Sequence, residues 1–332
     1  MRGQVITKTK ENITNEGVNN SNVKLIPKDT TLLSFKLSIG KTAIAGKDLY
    51  TNEAIAGLVP FDKNEISNNY LYQLFSSKQI NLENIGYKTF GKSLNSKFLK
   101  EEVKIPLPLK IIQEKIVSEC ETIDQATQQA QQTIDKAKNE IEEQVTAKQQ
   151  KYEKLDEIVA KISKTVDPNL KSGKVNYIGL ENIESKTGKQ IGNINDDYSK
   201  IKSNKTIFQK GDILYGKLRP NLNKVYKTEI NGICSTDILV FRIKNNRLID
   251  FYKYYFLSKK FNNQVLTTVS GQQLPRTSWT KINSFPIPVP PLSEQKTLVA
   301  QIEKLEQTIN QAQQIINQAP QQKQQILDKY LK

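Results

Sequence analysis

Toward the C-terminus, apolar residues recur at alternating steps of three and four: Leu298, Ile302, Leu305, Ile309, Ala312, Ile316, Ala319, Ile326 and Tyr330, with Lys323 interrupting the series. Such spacing lays one apolar seam along a helix and predicts a helical partner packed against it. A second seam runs through Cys120, Ile123, Thr127, Ala130, Ile134, Ala137 and Ile141. Its spacing carries the expected helix past Val145, Tyr152, Leu155 and Val159 to about Ile162. Roughly 50 helical residues would span about 75–80 Å at ~1.5 Å each. Two long helices in equivalent register are expected to pack as an antiparallel coiled coil, and Pro320 is expected to kink or end the second.

The seams belong to a longer repeat. Residues 105–137 align without a gap on residues 287–319 at a constant offset of 182, with 13 of the 33 positions identical. Among the identities are Pro106/Pro288, Pro108/Pro290, Gln113/Gln295 and Glu121/Glu303. Each copy opens with a Pro-rich extended stretch before turning helical, because proline disfavours helix in the residue before it yet suits the first helical turn.

Upstream of each helix lies a segment rich in β-branched and aromatic residues with turn signals between runs. In the second, Val175–Leu180, Ile213–Tyr215 and Ile238–Ile243 read as strands and Asp250–Leu257 as a helix. In the first, Thr31–Lys36 sits where Asp212–Lys217 does, and Asn69–Phe75 resembles Tyr252–Leu257. Only 26 residues precede Pro27, whereas more than 40 lie between Asp167 and Lys210, so the first module is expected to lack part of its opening layer. The fold class is α+β with a pseudo-two-fold internal repeat. Its expected parts are a first, incomplete module at 1–105, a central long helix at 106–164, a second module at 165–287 and a C-terminal helix at 288–332.

Composition narrows the chemistry. Lys and Arg number 49 against 34 Asp and Glu, a formal charge of +15 that favours a polyanionic partner. The chain has no histidine and only two cysteines, which removes the commonest general base and a zinc site together. Neither a signal peptide nor a membrane span is visible, so a reduced, soluble, cytoplasmic protein is expected. No cofactor or metal is expected.

Four blocks then stand in order: Phe208–Pro220, Gly232–Asp237, Gly271–Trp279 and Pro286–Gln295. Together they resemble the target recognition domain of type I restriction-modification specificity subunits. Leu32–Lys41 and Tyr50–Ile55 resemble another branch of the same domain family. The resemblance implies two recognition domains, the first truncated, each reading one half of a split double-stranded DNA site, with the two helices as a ruler. It further implies that methyltransferase and restriction subunits assemble on the helices and carry all catalysis, so that this chain is not itself an enzyme. The short first module leaves open a homodimer or an inactive subunit. A non-catalytic coiled-coil scaffold that binds protein is the alternative from another class.

A DNA reader needs phosphate contacts for affinity and side chains at base edges for specificity. Lys217, Arg219, Asn223 and Lys224 crowd a proline-interrupted loop, where cationic and amide donors can meet phosphate or guanine. Gln272, Gln273 and Arg276 form the second candidate loop, since Gln can pair with adenine and Arg with guanine. The same Arg276 could instead pin that loop to its domain, and Trp279 reads as core. Lys174 and Tyr177 are placed across the cleft. Gly86–Ser93 satisfies the phosphate-loop pattern G-x-x-x-x-G-K-[ST], but the polar stretch before it is no buried strand, so nucleotide binding is rejected. Asp167 with Glu184 and Lys186 is rejected as a metal-dependent nuclease set for want of anything beyond solvated charges at a turn.

Overall fold

The computed structural model describes residues 5–9, 11–36, 38–77, 80, 82, 96–147, 151–245, 247–271 and 273–332. In chain order the elements begin with β1 (Val5–Ile6), α1 (Asn15–Asn19), β2 (Thr31–Ser34), β3 (Thr42–Ala45), β4 (Ile55–Leu58), α2 (Asn68–Ser76), α3 (Ser96–Glu101) and α4 (Lys110–Thr146). There follow β5 (Tyr152–Lys154), α5 (Leu155–Ile158), β6 (Val159–Ile162), β7 (Thr165–Val166), β8 (Lys174–Ile178), β9 (Asn195–Asp197), β10 (Lys205–Phe208), β11 (Ile213–Gly216) and β12 (Val225–Lys227). The chain closes with β13 (Gly232–Cys234), β14 (Ile238–Ile243), α6 (Ile249–Leu257), α7 (Lys259–Leu266), α8 (Trp279–Ile282), β15 (Pro286–Pro288) and α9 (Leu292–Leu331). Two compact units result, one of residues 1–133 and 311–332, the other of 134–310.

In the first unit β2 lies inside a sheet of order β1-β3-β2-β4, antiparallel to both neighbours, and all four of its residues are buried. The aromatic-rich α2 covers the sheet. Ser67 caps it by accepting from the Tyr70 N–H, and Tyr70, Leu71, Leu74 and Phe75 pack on Leu33, Phe35, Ile116 and Cys120 and on Leu327 of α9. Here α4 and α9 run antiparallel, as the contacts of Glu119 with Lys329 and of Asp124 with Lys323 show.

Lys323, the residue that breaks the seam, is buried and explained by its partners. Its ammonium lies 2.6 Å from Asp124 Oδ1 and 3.1 Å from Gln73 Oε1, while Gln73 Nε2 donates to Asp124 Oδ2 at 3.3 Å. The cation and amide together satisfy a carboxylate that the seam would otherwise have to exclude.

In the second unit a sheet of order β12-β11-β14-β6 repeats the first unit's β3-β2-β4 arrangement, with β11 antiparallel to β12 and β14. The counterpart of α2 is α6, whose Phe251, Tyr252, Tyr255 and Phe256 join Tyr215, Phe241 and Phe261 in an aromatic core with ring centroids 4.9–6.3 Å apart. A further sheet of order β7-β10-β13-β8-β9 is particular to this unit among the described residues.

A buried glutamine recurs at the start of each long helix. Gln113 Nε2 donates to the carbonyls of Glu65 and Pro108, and its Oε1 accepts from the Ser67 N–H at 3.1 Å. At the same repeat position, Gln295 Nε2 donates to the Pro290 carbonyl at 2.8 Å and Oε1 accepts from the Leu248 N–H at 2.9 Å. Each amide thus ties the first turn of a long helix to the start of its module's short aromatic helix.

Two expectations need correction. The helix does not continue to Ile162: α4 ends at Thr146, and residues 152–162 form β5, α5 and β6. Leu155, Ile158 and Val159 fit the helical spacing, yet they are buried in the second unit's core, where β6 gains an antiparallel partner in β14. Short apolar runs cannot be assigned by periodicity alone. Nor does Pro320 end the second helix, which runs through it to Leu331. Neighbouring turns hold the backbone helical where proline removes one hydrogen bond.

Replacing Lys323 by Met should lower the stability of the chain to denaturant by roughly 1–3 kcal/mol, because the half-buried Asp124 and the buried Gln73 lose the cation that satisfies them. Replacing Lys329 by Met, on an exposed pair with Glu119, should leave the unfolding curve unchanged.

Candidate nucleic-acid interface

β11 delivers the chain into the first candidate loop. Asp212, buried at its start, accepts two hydrogen bonds from the Arg242 guanidinium at 2.8 and 2.9 Å and one from the Gln209 N–H at 2.8 Å, which fixes the strand's entry. That pairing also holds the Arg242 pKa above its ordinary value. At the exit the Lys217 N–H donates to the Asp237 carbonyl at 2.9 Å.

The two candidate loops are zipped together between residues more than fifty positions apart in sequence. The Thr277 N–H donates to the Lys217 carbonyl at 3.0 Å and the Arg219 N–H to the Pro275 carbonyl at 2.7 Å, with a bridge between Leu218 and Arg276. The second loop is itself a hairpin closed by reciprocal bonds between Ser270 and Arg276. Gly271 turns it at φ +96°, a conformation that disfavours side chains. Lys281 staples its base by donating to the Thr268 carbonyl and to Ser270 Oγ at 2.9 and 3.0 Å.

Arg219 stands at the junction with φ 49° and ψ 59°, in the left-handed region that few non-glycine residues enter. The Pro275 carbonyl on one side and the turn Pro220–Leu222 on the other hold it there. Its side chain is exposed, and no partner for the guanidinium is found among the described residues. The strained backbone thus presents the Arg219 cation at the surface of the loop junction.

The other candidates divide. Lys217 is half-buried on the first loop and Gln273 is exposed on the second. Gln272 lies outside the described residues, as does the rejected match Gly86–Ser93. Arg276 donates through Nε and Nη2 to Asp237 at 3.1 and 3.4 Å and through Nη1 to the Leu274 carbonyl, so the pinning role is the one the geometry displays. The same carboxylate holds its pKa above the ordinary arginine value. Asn223 is turned inward: its side chain is buried and donates to the Leu257 carbonyl at 2.7 Å, which fastens the loop to α6. Lys224 donates to the Leu180 carbonyl at 2.6 Å. These two brace the loop, because the Asn223 amide nitrogen and the Lys224 ammonium are already bonded to backbone carbonyls of their own unit.

Lys174 and Tyr177 lie on β8 in the five-stranded sheet. Lys174 is exposed and 3.9 Å from Asp197. Tyr177 is half-buried beneath Lys205, whose ammonium sits 5.9 Å from the ring centroid, and burial pushes the phenol pKa up. The end of β8 is tied to the turn at Ser235–Asp237, where the Ser235 N–H donates to the Ile178 carbonyl at 3.0 Å. Trp279 packs on Phe241 with centroids 5.7 Å apart, as core.

Asp237 is the residue that sequence reasoning missed. It lies in a quoted block, but its contact with Arg276 spans 39 positions and no spacing announces it. Cys120 and Cys234 are both buried, which raises their thiols to about 11 and about 12 and makes them poor nucleophiles. Asp167 caps a short turn by accepting from the Asn169 N–H. No cluster of metal-ligating side chains occurs among the described residues.

The model of the type I restriction modification DNA specificity domain matches residues 3–143 and 149–321. The specificity subunit of the type I restriction enzyme EcoDI from Escherichia coli is 29% identical over 156 residues, 47% of this chain and 34% of that protein. That of MjaIX from Methanocaldococcus jannaschii is 32% identical over 142 residues, 42% of this chain and 31% of that protein. These matches span about a third of the length of each relative. A solved S subunit of a type I system from M. genitalium superposes with TM-score 0.51 at 16% identity, covering 93% of this chain and 84% of that one. A chain from a structure concerned with assembly and conformational transition of the type I R-M system gives TM-score 0.56 at 13% identity, covering 95% and 85%. At such identities the likeness is one of fold.

Replacing Asp237 by Asn should free the Arg276 fork and loosen the hairpin. Amide exchange at Ser270 and Arg276 should accelerate while that of β14 stays unchanged, as read by mass spectrometry.

Proposed function

The chain belongs to the type I restriction modification DNA specificity family, and from that premise we propose that it recognises double-stranded DNA and leaves catalysis to partner subunits. One observation carries the reading: two loops distant in sequence are joined by backbone hydrogen bonds into one edge that presents Lys217, Arg219 and Gln273. A positive formal charge of 15 supplies the long-range attraction to phosphate. For the described side chains the division of labour follows from what each has free, and Gln272, outside the described residues, is assigned by residue type alone. Arg219 and Lys217 meet phosphate or guanine, Gln272 and Gln273 face base edges, and Arg276 is held by Asp237 so that the hairpin keeps its shape. Asn223 and Lys224 support the loop from within. Lys174 and Tyr177 extend the surface along β8.

In this reading, methyltransferase subunits dock on the glutamine-rich outer faces of α4 and α9, restriction subunits join the assembly, and methylation and cleavage are theirs. The helices set the distance between half-sites. The first unit's counterpart of Gly271–Leu274 is Gly91–Leu94, outside the described residues.

The test is binding of the full chain to mixed-sequence duplex DNA across a salt series. The logarithm of affinity should fall linearly with the logarithm of salt concentration, and Arg219→Ala should reduce the slope by about one and weaken all sequences alike. Gln273→Ala should leave the slope and change the ranking of sequences instead. Affinity that ignores salt would remove the reading.

A further inference from the structure

Both candidate loops hang from one short helix of the second unit. α7 sends Phe261 and Val265 into the aromatic core and turns Asn262, also buried, toward the first loop. Asn262 Nδ2 donates to the Pro220 carbonyl at 2.8 Å, one residue beyond the strained Arg219, and the Asn223 N–H donates to the same carbonyl at 2.9 Å. At its other end α7 runs on into the hairpin. There the Thr268 N–H donates to the Val265 carbonyl at 3.0 Å, and the Thr268 and Thr277 hydroxyls share a hydrogen bond of 2.8 Å. A shift of α7 therefore carries both loops with it.

What holds the start of α7 is a carboxylate from α4. A helix leaves its first N–H groups without partners of its own, and here each is met. Glu142 Oε2 accepts from the Lys259 N–H at 2.8 Å and Oε1 from the Lys260 N–H at 3.1 Å, while Ser258 Oγ accepts from the Phe261 N–H at 3.1 Å. The Asn262 N–H then opens the regular ladder on the Ser258 carbonyl at 3.0 Å. Ser258 is a local cap, but Glu142 lies 117 positions away in sequence, so its contact joins two separate elements. The join is reciprocal: Lys260 Nζ donates to the Thr146 carbonyl, in the last turn of α4, at 3.3 Å. A negative group at one helix start and a positive group at the other helix end each meet the favourable pole of the backbone dipole. Because Phe261 and Val265 already anchor α7 in the core, the Glu142 contact fixes the orientation of the helix rather than its existence.

We infer that Glu142 and Asn262 are positioning residues for DNA recognition: Glu142 fixes α7 against α4, Asn262 fixes the Arg219 turn against α7, and the reading edge is thereby registered to the long helix. The inference rests on the DNA-recognition reading of the two loops. Neither residue contacts DNA, since both Glu142 oxygens are turned to α7 and the Asn262 amide is buried on Pro220. Telling one base edge from another needs donors held within about 0.5 Å, whereas attraction to phosphate tolerates a looser mount. Loss of either link should lower discrimination between sequences and leave the salt-dependent attraction in place.

The experiment compares Glu142→Ala, Asn262→Ala and a control, Glu143→Ala, in the full chain. Glu143 is exposed on the same turn of α4, so the control removes an equal charge. Affinities are ranked over a pool of duplexes of different sequence, the salt slope is measured, and amide exchange is followed in the two loops. Glu142→Ala and Asn262→Ala should compress the span between strongest and weakest duplexes by roughly five- to tenfold, the scale of one lost cap, while Glu142→Ala keeps the salt slope of the control. Exchange at residues 219–223 should accelerate in both variants and at 270–276 in Glu142→Ala, with β14 unchanged. Unchanged discrimination or unchanged loop exchange in Glu142→Ala, while the unmodified chain still binds in a salt-dependent way, overturns the inference and leaves the DNA reading standing. An equal loss of discrimination in Glu143→Ala overturns it too, because charge alone would then be responsible. Affinity of the unmodified chain that ignores salt defeats the reading itself, and the inference with it.

Discussion

Each module is fastened to its long helix by one buried amide. Gln113 and Gln295 stand at equivalent positions of the repeat, each with its Nε2 on a proline carbonyl of its own extended lead-in and its Oε1 on a backbone N–H at the start of the short aromatic helix. A buried carboxamide costs free energy unless its donors and acceptor are met, so the geometry that meets them is strongly selected over its neighbours. Everything downstream inherits that geometry. The aromatic helix is set against the sheet, the sheet's central strand is buried on both faces, and in the second unit that strand delivers the Lys217–Arg219 loop to the hairpin at Ser270–Arg276.

The repeat made much of this legible. Residues 31 and 213 begin matching strands, Ile238–Ile243 is a strand as its β-branched run implies, and the aromatic segment after it is helical in both units. The Gln113/Gln295 identity was visible as well, although its role needed the fold to show which carbonyls it meets. Legibility failed where one pattern served two structures. Leu155, Val159 and Ile162 satisfy a heptad and a buried strap equally, and only the presence of β14 as a partner decides between them. Lys323 looked like a flaw in the seam because its compensation, Asp124 with Gln73, comes from two other elements.

At the interface, the same limit applied to side chains rather than elements. Lys217, Arg219 and Gln273 were chosen by residue type; Arg219 and Gln273 are exposed and Lys217 is half-buried. Asn223 and Lys224 are of the same types, yet their donor nitrogens are spent on the Leu257 and Leu180 carbonyls. Composition cannot distinguish a donor facing solvent from one facing a carbonyl. Neither could it find Asp237, whose carboxylate decides whether Arg276 is a free cation or a structural pin. The surface that remains is smaller and more rigid than the loops suggested, and rigidity is what a reader of base edges requires.

The most direct test is photo-crosslinking of the full chain to duplex DNA bearing 5-iodouracil at successive positions, with the adducts mapped by mass spectrometry. The account predicts adducts within residues 217–221 and 272–276 in the second unit, from the same DNA positions for both loops because the loops form one edge. Adducts confined to the long helices, or to one loop without the other, would contradict it.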